Sequence, residues 1–399
     1  MHGSYMNNSQ HRRGESVRAA LSIVFALASI LYPLAPVFAG GPGSTAVQVL
    51  KTDISPRAMG MGGGFVSVAD DIYSVTYNPA GLGRLYLPEI SATYLSGFAD
   101  AKLQFLGFGM PLPINGLIGL DKPGIAVSAI FSQSGDFTYR RINDDGTIFS
   151  RSMDAEGTKV FSLSYGERVY SQEMKIEGYE ARIDQYLGLS AKYVKSELLE
   201  TYSASAIAFD AGWLLVEPKL GLACGASLSN YGGGMTYLKE TYPLPSVMRL
   251  GLSWQRPTIM DQSVLLALEY DIYTNEGLKN FKGGLEYHFQ KILNARLGYK
   301  AVDDNKGLTM GVGVHHEGFA LDFAMSLANE VFNSSQVSFS YKFAGWRIRD
   351  YKKAVHYRNQ DEKAPPQKKA KKPAKKEPAR PKKAQEPGQK KDSDFFMLY

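Results

Sequence analysis

The chain has 399 residues, with 45 Lys and Arg against 39 Asp and Glu, a formal charge of +6. Its single cysteine excludes an intrachain disulfide framework, and no stretch approaches the ~18 consecutive apolar residues of a membrane-spanning helix. The positive balance does not point to a nucleic-acid partner, because residues 361–393 alone carry twelve Lys or Arg against five Asp or Glu and leave the remainder near neutral.

In chain order, Arg12, Arg13 and Arg18 precede the apolar run AALSIVFALASIL, and VFAG offers small residues around a cut after Ala39. Residues 1–39 therefore read as a secretory signal peptide. The alternative of a membrane anchor fails on length, since the run falls short of the ~20 residues a spanning helix needs and Pro33 and Pro36 interrupt its end.

Residues 40–88 contain RAMGMGGGFVSVADDIYSVTYNPAGLG, Arg57 to Gly83. Gly60, Gly62, Gly63 and Gly64 suit close backbone approach and positive φ in a confined space. Asp70 and Asp71 are expected to cap a short helix starting near Ile72, and Asn78-Pro79 to end it, because the residue before proline is pushed out of the α region. A dinucleotide fingerprint is excluded by Phe65 at the place of its third glycine, and a phosphate loop by the missing Lys-Ser or Lys-Thr.

From residue 89 to residue 344 the pattern changes to strict alternation. In FKGGLEYHFQ, Phe281, Leu285, Tyr287 and Phe289 fall on one parity and Lys282, Glu286, His288 and Gln290 on the other. That is the period of a strand with two chemically different faces. Fourteen such segments lie near 89–98, 101–111, 122–132, 158–169, 182–197, 202–216, 218–230, 245–256, 262–273, 280–290, 293–301, 306–316, 318–327 and 335–344. An even number, lengths near the ~10 residues of a tilted membrane strand, and an export signal predict an all-β fold: a transmembrane antiparallel β-barrel of about 14 strands. Residues 133–157 and 231–244 are then long outer loops, and 217–218, 291–292 and 317 short turns on the opposite side. Residues 111–121 and 170–181 are long for turns of that second side. Cys224 shares parity with Leu220, Leu222, Ala226 and Leu228 and reads as a small outward-facing apolar residue.

A fourteen-strand barrel is too wide for its own side chains to fill, so residues 40–88 are the predicted hatch inside the lumen. After a short periplasmic extension, 345–360, residues 361–399 form a Lys-, Pro- and Ala-rich segment that cannot bury a core and is expected to be disordered in the periplasm. It ends in the apolar tip DFFMLY, a candidate docking peptide.

The Arg57–Leu82 stretch resembles the N-terminal signature of the outer-membrane superfamily that includes the FadL long-chain fatty-acid transporters and the PorV and PorQ proteins of protein secretion. The resemblance implies an N-terminal hatch inside a fourteen-stranded outer-membrane barrel, with Asn78, Pro79 and Ala80 in the family's Asn-Pro-Ala motif. It implies passive uptake of a hydrophobic small molecule such as a long-chain fatty acid, with no cofactor. The second expectation is a PorV-like secretion or assembly component whose tail contacts a periplasmic protein, and the third a structural barrel gripping the cell wall.

A ligand carboxylate needs a cation, and Lys282, Arg296, Lys300 and Lys342 all take lumen-facing positions. Glu269, Asp271, Glu286 and Asp322 share that facing, and pairing with them is the favoured reading of the four cations. Enzymatic chemistry finds no constellation. His315 and His316 are adjacent on a strand and point to opposite faces, and no serine motif accompanies His288. Asp144-Asp145 and Asp303-Asp304 sit beside Asn and Gly and read as turn residues, with surface calcium a lesser alternative.

Overall fold

The computed structural model describes residues 41, 43–97, 101–118, 121–176, 179–257, 262–290, 292–301, 306–328 and 334–343. The predicted signal peptide, the 345–360 extension, the tail and Asp303-Asp304 lie outside the described residues.

Fourteen strands close into one antiparallel barrel: β1 (Glu89–Ser96), β2 (Lys102–Pro111), β3 (Gly124–Ile142), β4 (Ile148–Ile176), β5 (Tyr179–Leu198), β6 (Tyr202–Glu217), β7 (Leu222–Gly232), β10 (Val247–Pro257), β11 (Ser263–Tyr273), β12 (Lys279–Phe289), β13 (Leu293–Ala301), β14 (Gly307–His316), β15 (Phe319–Ala328) and β16 (Ser334–Lys342). Each strand pairs with its neighbours in sequence, and β1 closes on β16 with Glu89 opposite Lys342. A separate hairpin, β8 (Met235–Tyr237) and β9 (Glu240–Tyr242), sits in the β7–β10 connection. The end of the barrel where β1 starts and β16 stops is called here the terminal end, and the other the loop end.

The two faces decide the setting of this barrel. Along β13, Leu293, Ala295, Leu297 and Tyr299 point outward while Asn294, Arg296 and Lys300 are buried. The same inversion of a water-soluble pattern recurs on β15, where Leu321, Phe323, Met325 and Leu327 are exposed and Asp322 and Ser326 buried. A closed sheet with an apolar outside and a polar inside is a transmembrane β-barrel. Cys224 takes the outward parity, between Leu222 and Ala226, as expected.

Two connections differ from the sequence-based expectation. Residues 133–157 are largely strand: β3 and β4 stay paired from Ser134 opposite Glu156 out to Ile142 opposite Ile148, with the turn at 143–147. Residues 170–181 are likewise mostly ladder, β4 running to Ile176 and β5 starting at Tyr179. Both continuations extend past the span where one face is apolar. At the tip of the first, Arg140, Arg141, Phe149 and Ser150 are exposed on both faces, so the contrast that reveals a strand in sequence is gone. Asp145 behaves as the expected turn residue, accepting from the Thr147 N–H at 2.9 Å.

Residues 43–88 pack against the inward-facing positions of the strands. Their first helix, α1 (Pro56–Gly60), starts on Ser55, whose hydroxyl accepts from the Ala58 N–H, with proline at its first turn. The second, α2 (Ser74–Tyr77), begins two residues later than expected and has no side-chain cap of its own. Asp71 instead accepts from the Tyr73 N–H at 3.0 Å, one step earlier, and Asp70 turns away to Arg57. Asn78 ends α2 as expected, in extended backbone, and its side chain caps the 3-10 turn Pro79–Arg84 by accepting from Ala80. Phe65, Met61, Ile72 and Leu82 have no accessible surface.

Candidate functional site

The candidate site is the contact between residues 43–88 and the inner wall. It is built first of backbone. Gly166 of β4, Gly188 of β5 and Gly212 of β6 lie opposite one another in the ladder, and all face inward. A Cβ on Gly188 would stand 2.2 Å from the Pro79 carbonyl carbon, and one on Gly212 would stand 2.1 Å from Asn78 Oδ1. Across the barrel, Gly284 and Gly298 are paired, and Cβ atoms there would meet Met61 and Gly62 at 2.4 and 2.1 Å. Any side chain at these positions would hold the segment off the wall.

The predicted glycines of the segment divide by role. Gly62 has φ +70 and donates its N–H to Thr309 Oγ1 at 2.9 Å, pressed against the Tyr299 and Gly283 carbonyls. Gly63 has φ +88 beside Asp53 and Lys282. Gly60 needs its small size, since Arg296 Cβ and Gly311 Cα lie 3.1 Å from where a Cβ would be. Gly64 departs from the expectation: its φ is not positive, and the nearest atom to an added Cβ is 3.6 Å away.

Asn78, Pro79 and Ala80 are buried against the glycines of β4, β5 and β6. Asn78 Nδ2 donates to the carbonyls of Val66 at 2.9 Å and Trp213 at 3.0 Å, tying two parts of the segment to the wall through one amide.

Charge supplies the second set of ties. Arg57 donates to Asp70 at 2.6 Å and to Glu286 at 2.8 Å, lies 3.4 Å from Asp71, and sits over the Phe65 ring at 5.5 Å. Burial works against its charge, but the carboxylates around it hold its guanidinium firmly protonated. Asp71 is pushed up by burial and by Asp70 beside it. Glu269 Oε2 accepts the N–H groups of Phe65 and Val66 at 2.8 and 2.7 Å.

All four predicted lumen cations face inward, and each has an acidic neighbour. Lys282 lies 2.8 Å from Asp271 and 3.8 Å from both Glu269 and Asp53. Arg296 reaches Glu286 and Asp322, both at 2.6 Å. Lys300 is bonded to Asp53, and Lys342 lies 3.8 Å from Glu89, neither of them among the partners expected on the strands. Burial opposes the Asp53 carboxylate, yet Lys300 and Lys282 hold its carboxyl well below the usual range. A ligand carboxylate at any of these cations would have to displace an acid already there.

Sequence reasoning passed over Asp53, Lys192 and Arg249. Lys192 meets Asp210 at 2.7 Å and Asn230 at 2.8 Å, and Arg249 donates to Ser229. Inward parity was the available signal for the two cations; nothing local marks Asp53. Beside them, between residues 49–54, Thr76 and Tyr77, lies a cavity of about 20 Å³, room for about one water molecule. His288 faces the lumen, with Nδ1 2.5 Å from Asn294 Oδ1; its Nε2 lies 2.9 Å from Glu286 but makes no hydrogen bond among the described residues, so the ring is only half satisfied against the expectation.

No family model matches the chain, and no curated protein matches it. Solved structures do. The chain is similar to the toluene transporter TbuX of Ralstonia pickettii, at 14% identity over 74% of this chain and 100% of that one, TM-score 0.47. It is similar to the monoaromatic hydrocarbon channel CymD at 11% identity over 73% and 97%, TM-score 0.47. The toluene transporter TodX of Pseudomonas putida follows at 14% identity over 77% and 99%, TM-score 0.43.

Proposed function

We propose that the protein is an outer-membrane channel for passive uptake of hydrophobic small molecules, long-chain fatty acids being one candidate class, with residues 43–88 as its hatch. The observation that carries this reading is a barrel filled by a segment fixed through reversible contacts, ion pairs and hydrogen bonds, with no covalent tie. The segment is pressed against both sides of the lumen, at Gly188 and Gly212 on one side and at Gly284 and Gly298 on the other, so passage along the lumen requires it to shift. Conduction needs no catalytic residue and no cofactor.

A hydrophobic passenger is favoured by the wall itself. On the membrane side of β6, β7 and β10–β12 there is a recess of about 420 Å³, lined by Trp213, Cys224, Leu252, Leu268 and Phe281. Directly behind it, paired Gly225 and Gly251 leave the hatch residue Val66 against the inner backbone. An apolar molecule held in this recess is separated from Val66 by the paired backbones of β7 and β10.

A PorV-like role in secretion is the second reading. It is favoured by the β3–β4 ribbon, which stands beyond the barrel rim with Tyr139, Ile142, Ile148 and Phe149 exposed. The tail, in the periplasm on either reading, would then contact a periplasmic protein or the cell wall. Native mass spectrometry of the barrel extracted gently from its own membrane separates the two. Retained lipophile, lost when Lys282 and Arg296 are neutralised, supports uptake; an empty barrel bound to a protein, released on deleting residues 361–399, supports secretion and sinks uptake.

A further inference from the structure

The β2–β3 connection at the terminal end does not hang below the barrel. On β4, Tyr165 and Glu167 share the parity of Phe161 and Leu163, which are exposed on the membrane face. Glu167 lies opposite Leu187, also exposed, so its carboxylate belongs to that outer face by register. Yet Glu167 is only 4% exposed. What covers it is the connection: the Ile118 N–H donates to Glu167 at 3.2 Å, and a Cβ on Gly116 would overlap Glu167 Oε2. The Leu117 N–H donates to the Tyr165 hydroxyl at 3.2 Å. The connection therefore folds back over the outside of the wall.

Its chemistry suits that place. Backbone in a lipid environment must satisfy its polar groups internally. Besides Leu117 and Ile118, the N–H of Leu112 bonds to the Pro123 carbonyl at 2.8 Å and that of Gly116 to the Asp121 carbonyl at 3.0 Å, while Pro113 has none to satisfy. Asp121 is pinned to Arg168 at 3.0 Å. On this braced backbone Ile114, Leu117 and Ile118 are 61%, 89% and 56% exposed, the opposite of what a turn in water would present.

We propose that residues 112–118 and 121–123 form a strap that inserts Ile114, Leu117 and Ile118 into the lipid leaflet at the terminal end of the barrel while shielding Glu167 from it. The partner is the lipid surface itself, because the three side chains continue the apolar membrane face formed by Val127, Leu163 and Leu187. The strap sets how deep that end of the barrel sits. The inference rests on the transmembrane reading of the barrel and is independent of what passes through it.

The test uses Leu117→Cys on a Cys224→Ala background of the full chain, labelled with an environment-sensitive fluorophore in phosphatidylcholine vesicles doped with nitroxide-bearing lipid. Leu187→Cys on the outer wall and Leu238→Cys in the β8–β9 turn serve as lipid and water references. Emission at position 117 is expected to be quenched by the lipid nitroxide as strongly as at 187, and by aqueous iodide severalfold less than at 238. Iodide quenching at 117 equal to that at 238 overturns the strap. Protection from both quenchers in native membranes, with lipid quenching intact at 187, also overturns it and identifies a protein cover. Loss of lipid quenching at 187 as well overturns the strap together with the membrane setting of the barrel, whatever the outcome for uptake.

Discussion

Truncating Arg57 to Ala asks whether charge seats the hatch. The guanidinium is mostly buried and serves Asp70 at 2.6 Å, Glu286 at 2.8 Å and Asp71 at 3.4 Å. Without it Glu286 keeps Arg296 and His288, but Asp70 and Asp71 lose the cation between them. Removing one partner of a buried pair costs about 3–5 kcal/mol. Since the Arg57 side chain retains 13% exposure, the lower end applies, about 3 kcal/mol. At ~1.4 kcal/mol per tenfold, the ratio of seated to displaced hatch falls on the order of 10²-fold.

Protonation relieves part of that loss and gives the prediction a direction in pH. Asp71 is already raised by burial and Asp70, and losing Arg57 raises it further. A carboxyl raised in the seated state favours seating while it holds its proton, and that contribution disappears as pH rises through its seated value. Leak through Arg57→Ala should therefore exceed wild type and grow from a pH below the raised Asp71 value to one above it. Swelling of barrel-containing vesicles in small sugars, with folding checked by heat-modifiable gel mobility, reads this directly. A folded variant as tight as wild type at both pH values would refute the claim that these ion pairs hold the segment.

Two further outcomes follow from the same contacts. Asn78→Ala with Pro79→Ala removes the amide bonds to Val66 and Trp213, costs about 2–4 kcal/mol of seating, and should raise small-solute leak in the same swelling assay; unchanged permeability would mean this turn is not part of the plug. Wild-type barrels should stay closed through neutral pH and begin to leak only below the ordinary carboxylate value of 3.8, because Asp53 is depressed by Lys300 and Lys282 and its contribution is lost as pH falls; bilayer conductance that rises well above that value would contradict this assignment.

The barrel was legible wherever membrane lies on one side of a strand and polar lumen on the other. β13 shows it residue by residue, Leu293, Leu297 and Tyr299 against Asn294, Arg296 and Lys300. Past the membrane the contrast ends, which is why the β3–β4 ribbon reads in sequence as loop. Gly62 and Gly63 were legible as positions needing φ > 0, and Asn78 as a helix stop. Their partners were not, because Thr309, Gly298 and Trp213 are set beside them only by closure of the barrel, more than a hundred residues away in sequence. The same distance hid Asp53 as the partner of Lys300. The length of the 111–121 connection was visible, but its fold over Glu167 depends on register between β4 and β5, which no local pattern encodes.

If residues 43–88 act as the proposed hatch, the distribution of ties along them limits how the segment can move. Lifting out the whole segment would strip Asp53 from Lys300, Arg57 from Glu286, and the Phe65 and Val66 N–H groups from Glu269 in one step, exposing several buried charges together. Breaking each ion pair costs about 3 kcal/mol or more and each N–H bond to the carboxylate about 1.5–3 kcal/mol, so together they offset all that binding of a micromolar ligand, about 8 kcal/mol, returns. Residues 43–52 are held differently. Their described ties are at the loop end: Ala46 N–H to the Pro243 carbonyl at 3.0 Å, and Thr45 and Lys51 on Glu276. Val47, Met235 and Leu244 share one buried apolar cluster there, close to the 20 Å³ cavity at residues 49–54. Displacing this stretch with the β8–β9 connection breaks one ionic cluster and opens the space above Tyr77, while Arg57 to Gly83 stays on its glycine seats. On the proposed hatch role, the economical opening is a partial one that begins at the loop end and leaves the Arg57 cluster closed longest.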